Sequence, residues 1–268
     1  MELIRLFAEE RRSLLLDYLT QNQRASVKEL STHLNVSEAT LRTDLNLLEE
    51  EGLVRRIHGG AVLVEQSRPE YAYAERERRH QPEKAAIGRK AAELVQDGQC
   101  ILVDASTTAL ELAKHLRKLP YRLTVVTSGI YTALELKENP NMHVILIGGV
   151  LRMGSGAVEG TLGEDILGKI KVDCLFTSPA GFQMDSGLMD FNLYEVELKR
   201  RMVQASSKVV ALLDSSKINV HSIASYAGTE QIRTFITDDG APADVLEELV
   251  RRGVRVSTVP TEKAGRME

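Results

Sequence analysis

Residues 26–63 read Ser-Val-Lys-Glu-Leu-Ser-Thr-His-Leu-Asn-Val-Ser-Glu-Ala-Thr-Leu-Arg-Thr-Asp-Leu-Asn-Leu-Leu-Glu-Glu-Glu-Gly-Leu-Val-Arg-Arg-Ile-His-Gly-Gly-Ala-Val-Leu. Ser26 is placed to cap a helix, and Glu29 three residues on completes a capping box. Val27, Leu30 and Leu34 recur at helical spacing, Asn35 and Val36 make a turn, and Ser37 caps a second helix. On that second helix Leu41, Leu45 and Leu48 face inward, leaving Glu38, Thr40, Arg42, Thr43 and Asn46 outward, and Gly52 ends it. A preceding helix over about residues 7–21 follows from Leu14, Leu15, Tyr18 and Leu19. Residues 52–63 carry Arg55, Arg56 and His58 with no acid, and Gly59-Gly60 permits a tight hairpin tip. Capped helices, short turn and basic hairpin in this order predict a winged helix-turn-helix, a unit that puts one helix into a DNA major groove.

Within that unit, Arg42, Thr43 and Asn46 are candidates for base edges, since guanidinium, hydroxyl and amide match major-groove donors and acceptors. Ser37 and Thr40 are candidates for phosphates, and Arg55, Arg56 and His58 for the backbone or minor groove. Residues 1–63 nevertheless hold eight Lys and Arg against ten Asp and Glu, and the whole chain carries a formal charge of −4. Non-specific attraction to phosphate is therefore weak, and placement of charge matters more than its sum. The acids Glu49, Glu50 and Glu51 gather at the end of the helix expected to point away from the duplex. A weakly charged head also predicts a homodimer or homotetramer, because two linked heads gain effective concentration on a palindromic operator.

The chain of 268 residues, 43% hydrophobic and 27% charged, has room for one small and one ordinary globular domain. We expect the winged unit over 1–63, a linker over 64–82, a larger α/β domain over 83–260 and a tail over 261–268. Cys100 and Cys174 sit in apolar runs and read as buried free thiols of a reducing compartment. Acids interrupt the N-terminal segment where a signal peptide needs an apolar core, and no apolar run approaches the ~20 residues of a membrane span. The expectation is a cytoplasmic protein with no membrane association. Cys and His are too scattered for a metal set, and no cofactor is called for.

The stretch around Glu75-Arg76-Glu77-Arg78-Arg79-His80 shows no apolar face and reads as a charged, solvated connector, with Pro82 starting the next helix. From there helices are predicted at 83–96, 107–118, 129–138, 161–171, 193–206 and 243–252. Strands are predicted at 100–103, 123–127, 143–147, 173–177, 208–213, 233–237 and 254–258. β-branched runs separated by helices indicate a mostly parallel sheet covered on both faces. Ligands in such sheets lie beyond the carboxyl ends of the strands. Those exits are Asp104-Ala105-Ser106-Thr107-Thr108, Thr127-Ser128-Gly129, Gly148-Gly149, Ser178-Pro179-Ala180-Gly181 and Asp214-Ser215-Ser216-Lys217. Hydroxyls and glycines before helix starts suit a phosphate, although Ser106 or Thr107 also reads as an ordinary N-cap. Glu195 and Lys199 stand in the order of a surface i to i+4 pair, which competes with a ligand role. Gly154-Ser155-Gly156-Ala157-Val158-Glu159-Gly160 does not follow a strand directly and its spacing misses the dinucleotide fingerprint by one residue, so it reads as a glycine-rich loop.

The N-terminal unit resembles the DeoR family of bacterial repressors through Val36-Ser37, Thr40-Leu41-Arg42, Asp44-Leu45, Leu48-Glu49, Gly52, Leu53, Arg55 and His58-Gly59-Gly60-Ala61. Thr43 stands where the family has a second arginine. Residues 83–258 resemble that family's sensor domain in Asp104 with Ser106-Thr107-Thr108, Gly148-Gly149, Asp173, Gly181, Gly187-Leu188, Glu195, Lys199 and Asp214-Ser215-Ser216-Lys217. Ser106 replaces a usual glycine, and Ser178-Pro179-Ala180-Gly181 replaces a Gly-Ala-Asp-Gly-like run. The resemblance implies a sensor related in fold to ribose-phosphate isomerases. It further implies a repressor of a carbohydrate-utilisation operon that responds to a phosphorylated sugar or polyol. Candidate ligand residues are Asp104, Ser106, Thr107, Thr108, Thr127, Ser128, Gly129, Gly148, Gly149, Gly181, Glu195, Lys199 and Lys217. The alternative is a sugar-phosphate isomerase with a DNA-binding appendage, in which Asp104, Glu195 and Lys199 are recruited for proton abstraction. A pure protein-interaction module is disfavoured by the basic wing.

Overall fold

The computed structural model describes residues 8–22, 24–50, 54–57, 59–63, 73–152 and 154–261. They form two compact units, Met1–Arg76 and Glu77–Glu268. The first contains α1 (Ala8–Asn22), β1 (Arg24–Ser26), α2 (Val27–Leu34), α3 (Glu38–Glu50), β2 (Val54–Ile57) and β3 (Gly60–Leu63). The capping box at α2 is complete. Glu29 N–H donates to Ser26 Oγ at 3.1 Å, and Ser26 N–H donates to Glu29 Oε2 at 2.7 Å. Asn35 closes α2 in the left-handed region with φ of 52°, a conformation Asn tolerates better than most residues.

Leu15, Leu19, Val27, Leu30, Leu34, Leu41, Leu45 and Leu48 form one buried core with Ala25, Val54 and Ala61. Leu14, part of the expected helical stripe, is exposed; Leu15 and Leu19, four residues apart, are the fully buried α1 pair, with Leu16 and Tyr18 partly buried against the same core. β1, β3 and β2 pair antiparallel in that order. Gly59 makes the wing turn with φ of 76°, which a side chain would strain. Gly52 and His58 lie outside the described residues, as do 64–72 of the expected linker and 262–268 of the expected tail.

Next come α4 (Tyr73–Arg78) and α5 (Gln81–Ala92), and then β4 (Cys100–Val103), α6 (Thr107–Leu116), β5 (Leu123–Thr127), α7 (Ile130–Leu136) and β6 (Met142–Leu146). β7 (Val150–Leu151) and β8 (Val158–Glu159) flank the glycine-rich loop. The remaining elements are β9 (Cys174–Thr177), β10 (Gly181–Gln183), β11 (Gly187–Asp190), α8 (Leu193–Ala205), β12 (Val209–Leu212), β13 (Ala224–Ala227), β14 (Ile232–Asp238), α9 (Ala243–Arg251) and β15 (Arg255–Val259).

Seven strands make one wholly parallel sheet in the order β15-β14-β12-β9-β4-β5-β6. The chain winds outward from β4 through β5 to β6, then returns to β9 and winds the other way. The direction therefore reverses between β4 and β9, where a doubly wound sheet opens a crevice at its carboxyl edge. Leu102, Val126, Leu175, Ala211 and Phe235 of the sheet are fully buried among helix residues such as Val196, Met202 and Leu249.

Three expectations change. Residues 161–171 do not form a helix; only a 3-10 turn at Glu164–Ile166 appears, because Gly160, Gly163 and Gly168 interrupt the segment and Gly160 has φ of 82°. The supposed connector contains α4, with Tyr73 buried and the Arg76 guanidinium 5.7 Å above its ring. An antiparallel sheet, β10-β11-β13, was not anticipated at all.

Candidate functional site

Two groups of side chains stand out, one in each unit. In the first unit α3 is braced from behind. Arg11 on α1 grips the buried Asp44 through Nε to Oδ2 at 2.5 Å and Nη2 to Oδ1 at 3.0 Å, a forked pairing that fixes orientation as well as distance. The outer face of α3 carries Arg42, Thr43 and Asn46, all exposed. Arg42 Nη2 lies 2.7 Å from Glu38 Oε2 one turn back. The Thr43 hydroxyl donates to the Ala39 carbonyl at 3.3 Å, and Asn46 Oδ1 accepts from Arg56 Nη1 at 3.4 Å. Thr40 N–H donates to Ser37 Oγ at 3.2 Å, so Ser37 caps α3 as expected. Arg55 is exposed on β2. Glu49 does not merely point away: its Oε1 accepts the Arg56 N–H at 2.7 Å and ties the wing to α3. Arg11 and Glu49 escaped the sequence reading because their partners lie 33 and 7 residues away.

In the second unit the exits of β4 and β9 meet at the switch point. Asp104, 0% exposed, follows β4. Its Oδ1 accepts the Ser106 N–H at 3.0 Å, while Oδ2 accepts the Thr177 hydroxyl at 2.7 Å and the Ser178 N–H at 3.0 Å. Lys199 reaches in from α8 and is 5% exposed. Its Nζ lies 2.7 Å from Asp190 Oδ2, 3.2 Å from Asp104 Oδ2 and 3.0 Å from the Ser178 carbonyl. The ammonium also sits 4.9 Å from the Tyr226 ring centre, and the Tyr226 hydroxyl lies 3.0 Å from Thr177 Oγ1.

Burial opposes ionisation of Asp104, but the Lys199 charge and the bonds from Ser106 and Thr177 outweigh it and hold the carboxyl below its usual range. Burial likewise works against the Lys199 ammonium, and Asp190 and Asp104 outweigh it, so Lys199 stays charged well above the ordinary lysine range. Burial raises the Tyr226 phenol, which stays neutral.

Ser178 is the hub of this arrangement. Besides its bonds to Asp104 and Lys199, its hydroxyl donates to Thr108 Oγ1 at 3.3 Å and accepts from Lys217 Nζ at 2.9 Å. Lys217 lies 3.7 Å from Asp214 Oδ2, and Ser216 donates to the other Asp214 oxygen. The burial of Asp214 is likewise outweighed, by Lys217 first, and its carboxyl titrates below the usual range.

Of the expected ligand residues, Asp104, Thr108, Lys199 and Lys217 are thus joined through Ser178, and Ser106 is tied in through Asp104. Ser106 is at the same time the N-cap of α6, its Oγ accepting from Ala109 N–H at 3.1 Å. Thr107 follows it as the first residue of α6. Thr127 and Ser128 are buried at the β5 exit, where Gly129 N–H donates to Thr127 Oγ1 at 2.9 Å. A Cβ on Gly129 would stand 3.0 Å from Ala105 Cα, so the bare backbone lets this loop abut the Asp104 loop. Gly148 and Gly149 are exposed beyond β6, and Gly181 opens β10 against the Val220 carbonyl. Glu195 Oε1 accepts from Asn192 Nδ2 at 3.3 Å, and the Glu195 charge adds to those of Asp190 and Asp104 in holding Lys199 charged. Among the described residues no three His, Cys, Asp or Glu side chains are grouped to hold a metal, and no helix is long and apolar enough to cross a membrane.

Family models match both units: the DeoR-like helix-turn-helix domain over residues 11–67 and the DeoR C-terminal sensor domain over residues 79–239. The HTH-type transcriptional regulator GolR of Listeria innocua is 47% identical over 87% of this chain and 92% of its own. The glycerol-3-phosphate regulon repressor of Escherichia coli is 28% identical over 92% and 97%. Ribose 5-phosphate isomerase A from Methanocaldococcus jannaschii overlaps 50% of this chain and 53% of its own, with a TM-score of 0.38 and 15% identity. The two paired matches, and the near-full-length identity to GolR, establish that the chain belongs to the DeoR family of helix-turn-helix transcriptional regulators.

Proposed function

We propose that this protein represses a carbohydrate-utilisation operon and that a phosphorylated sugar or polyol, bound at the carboxyl edge of the parallel sheet, controls its grip on the operator. The observation that carries this reading is the convergence of the β4, β9 and β12 exits on Ser178, with Lys199 and Lys217 both bonded to it. The name of the Escherichia coli relative supports a phosphorylated polyol as the ligand class.

The geometry divides labour among the cations. Lys199 is shared by two buried carboxylates, and that centre carries an excess negative charge, so it frames the site and does not hold a phosphate in this arrangement. Lys217, with 21% of its side chain exposed, is the accessible cation, and the amino end of α6 behind it, at the buried Thr107 and Thr108, adds its dipole to the attraction for an anion. Ser128, Gly129, Gly148, Gly149, Gly181 and Glu195 line neighbouring exits and shape the remainder. Binding at that rim shifts the operator equilibrium only if the ligand has different affinities for two arrangements of the protein.

On the DNA side Arg42, Thr43 and Asn46 take base edges, Ser37 and Thr40 take phosphates, and Arg55, Arg56 and His58 form the wing contact. A dimer or tetramer supplies the second head for a palindromic site. An isomerase reading is disfavoured because the carboxylate best placed to act as a base, Asp104, is saturated by hydrogen bonds and held ionised by Lys199. The test is a mobility-shift titration with the promoter DNA upstream of the protein's own operon. The expected result is a salt-sensitive, sequence-selective complex; its absence at every protein concentration would overturn the assignment.

A further inference from the structure

The opposite, amino edge of the parallel sheet holds a cleft of about 290 Å³, floored by Cys174, Val210 and Thr234 and rimmed by Lys208, Arg233 and Arg255. The three cations are brought together by parallel register. Val210 stands beside Thr234, and Thr234 beside Arg255, so β12, β14 and β15 each contribute one cation at their starts. An adjoining cleft of about 440 Å³ shares Lys208 and Arg233 and adds Ser206, Ser207 and Gln231.

Among the described residues, none of these three side chains makes a hydrogen bond or an ion pair, whereas most other cations of this unit do. The nearby acids are already engaged. Glu93 is held by Lys90 at 2.6 Å, and Asp173 Oδ2 accepts the Cys100 N–H at 2.9 Å. Glu93 and Asp173 line the same cleft, so three cations stand against two acids, and a bound anion offsets that excess while gaining charge-assisted hydrogen bonds.

We propose that this amino-edge cleft is a second anion site, separate from the carboxyl-edge site, and that it takes the phosphate of a small phosphate monoester. Lys208, Arg233 and Arg255 hold the phosphate; the polar remainder is met by the Ser206 and Ser207 oxygens, which donate to the Met202 and Val172 carbonyls and keep acceptor capacity, and by the Gln231 amide nitrogen, its oxygen being taken by the Gly228 N–H. The cleft volume is near the lower bound of about 300 Å³ for small-molecule sites, which suits a ligand of this size.

The test is calorimetric titration of the full chain with inorganic phosphate and, in parallel, with a hexose 6-phosphate. Lys217→Ala disables the carboxyl edge, and the pair Lys208→Ala with Arg233→Ser disables the amino edge. All three residues are clear of the core, and unchanged thermal unfolding verifies folding. The expected result is that Lys217→Ala retains phosphate binding and that adding the amino-edge pair weakens it at least about tenfold. The ester is expected to bind tighter than inorganic phosphate. Loss of all binding in Lys217→Ala, or undiminished binding when the amino-edge pair is added to Lys217→Ala, would overturn the site. Equal affinity for ester and inorganic phosphate would overturn the ligand class.

Discussion

The side chains of α3 and those around Ser178 serve opposite designs. Arg42 shows 57% of its side chain to solvent, whereas Lys199 shows 6%. On α3 the side chains proposed to read DNA stand on a buried scaffold, and their own bonds, to Glu38 or across to the wing, are exposed and cheap to exchange. Around Ser178 the charges are part of the scaffold, and only Lys217 keeps a partly open face. The same chemical types thus stand open to contact in one unit and frame the interior in the other.

The largest effect that sharpens this contrast comes from Lys199→Met. It leaves Asp104 and Asp190 buried without their cation, and breaking a buried pair from one side costs about 3–5 kcal/mol. Urea denaturation should show that loss in the second unit. Leu45→Ala, in a fully buried position of the first unit, should cost about 2–5 kcal/mol there while leaving the second unit's transition in place.

Arg42→Ala should leave stability within about 0.5 kcal/mol yet weaken operator binding by about 1–3 kcal/mol and relax selection at one base pair. A stability loss as large as that of Lys199→Met would erase the contrast. Ser26→Ala should cost about 1 kcal/mol, read from the same denaturation curves, because it removes an N-cap and one half of a capping box.

The pH dependence follows from the same network. The folded pKa of Asp104 is depressed, so its contribution is present above the ordinary carboxylate range and disappears as pH falls through the lowered value. The folded pKa of Lys199 is raised, so its contribution is present below the ordinary lysine range and disappears as pH rises through the raised value. Stability of the second unit should therefore be flat through neutrality and fall on both flanks. Lys199→Met should shrink the alkaline fall, leaving the part that Lys114, whose pKa is also raised, and the buried Tyr226 and Cys174 contribute.

Much of the fold was legible where the signal is local. Ser26 and Glu29, Leu41, Leu45 and Leu48, and the β-branched runs of β4, β5 and β12 encode their elements within a few residues. The β10-β11-β13 sheet was not legible, since its strands are three or four residues long and β13 joins β11 from 34 residues downstream at the nearest pairing. That sheet carries Asp190 and Tyr226, and with them the true partners of Lys199. Strand exits brought Asp104, Thr108, Ser178 and Lys217 to one edge, but no sequence spacing reveals that Ser178 bonds to the others, because its contacts span 21 to 74 residues. The 161–171 helix failed for a local reason that was visible: Gly163 and Gly168 within it, and Gly160 just before it, outweigh an apolar period.

The most direct test follows operator affinity by fluorescence anisotropy across a panel of sugar and polyol phosphates, in the native protein and in Lys217→Ala. The account predicts that at least one phosphate ester changes native affinity by about 5- to 150-fold. Lys217→Ala should bind the same DNA with little response to that ester. An identical response in both proteins, or no response to any phosphate ester in the native one, would contradict a carboxyl-edge anion as the controlling signal.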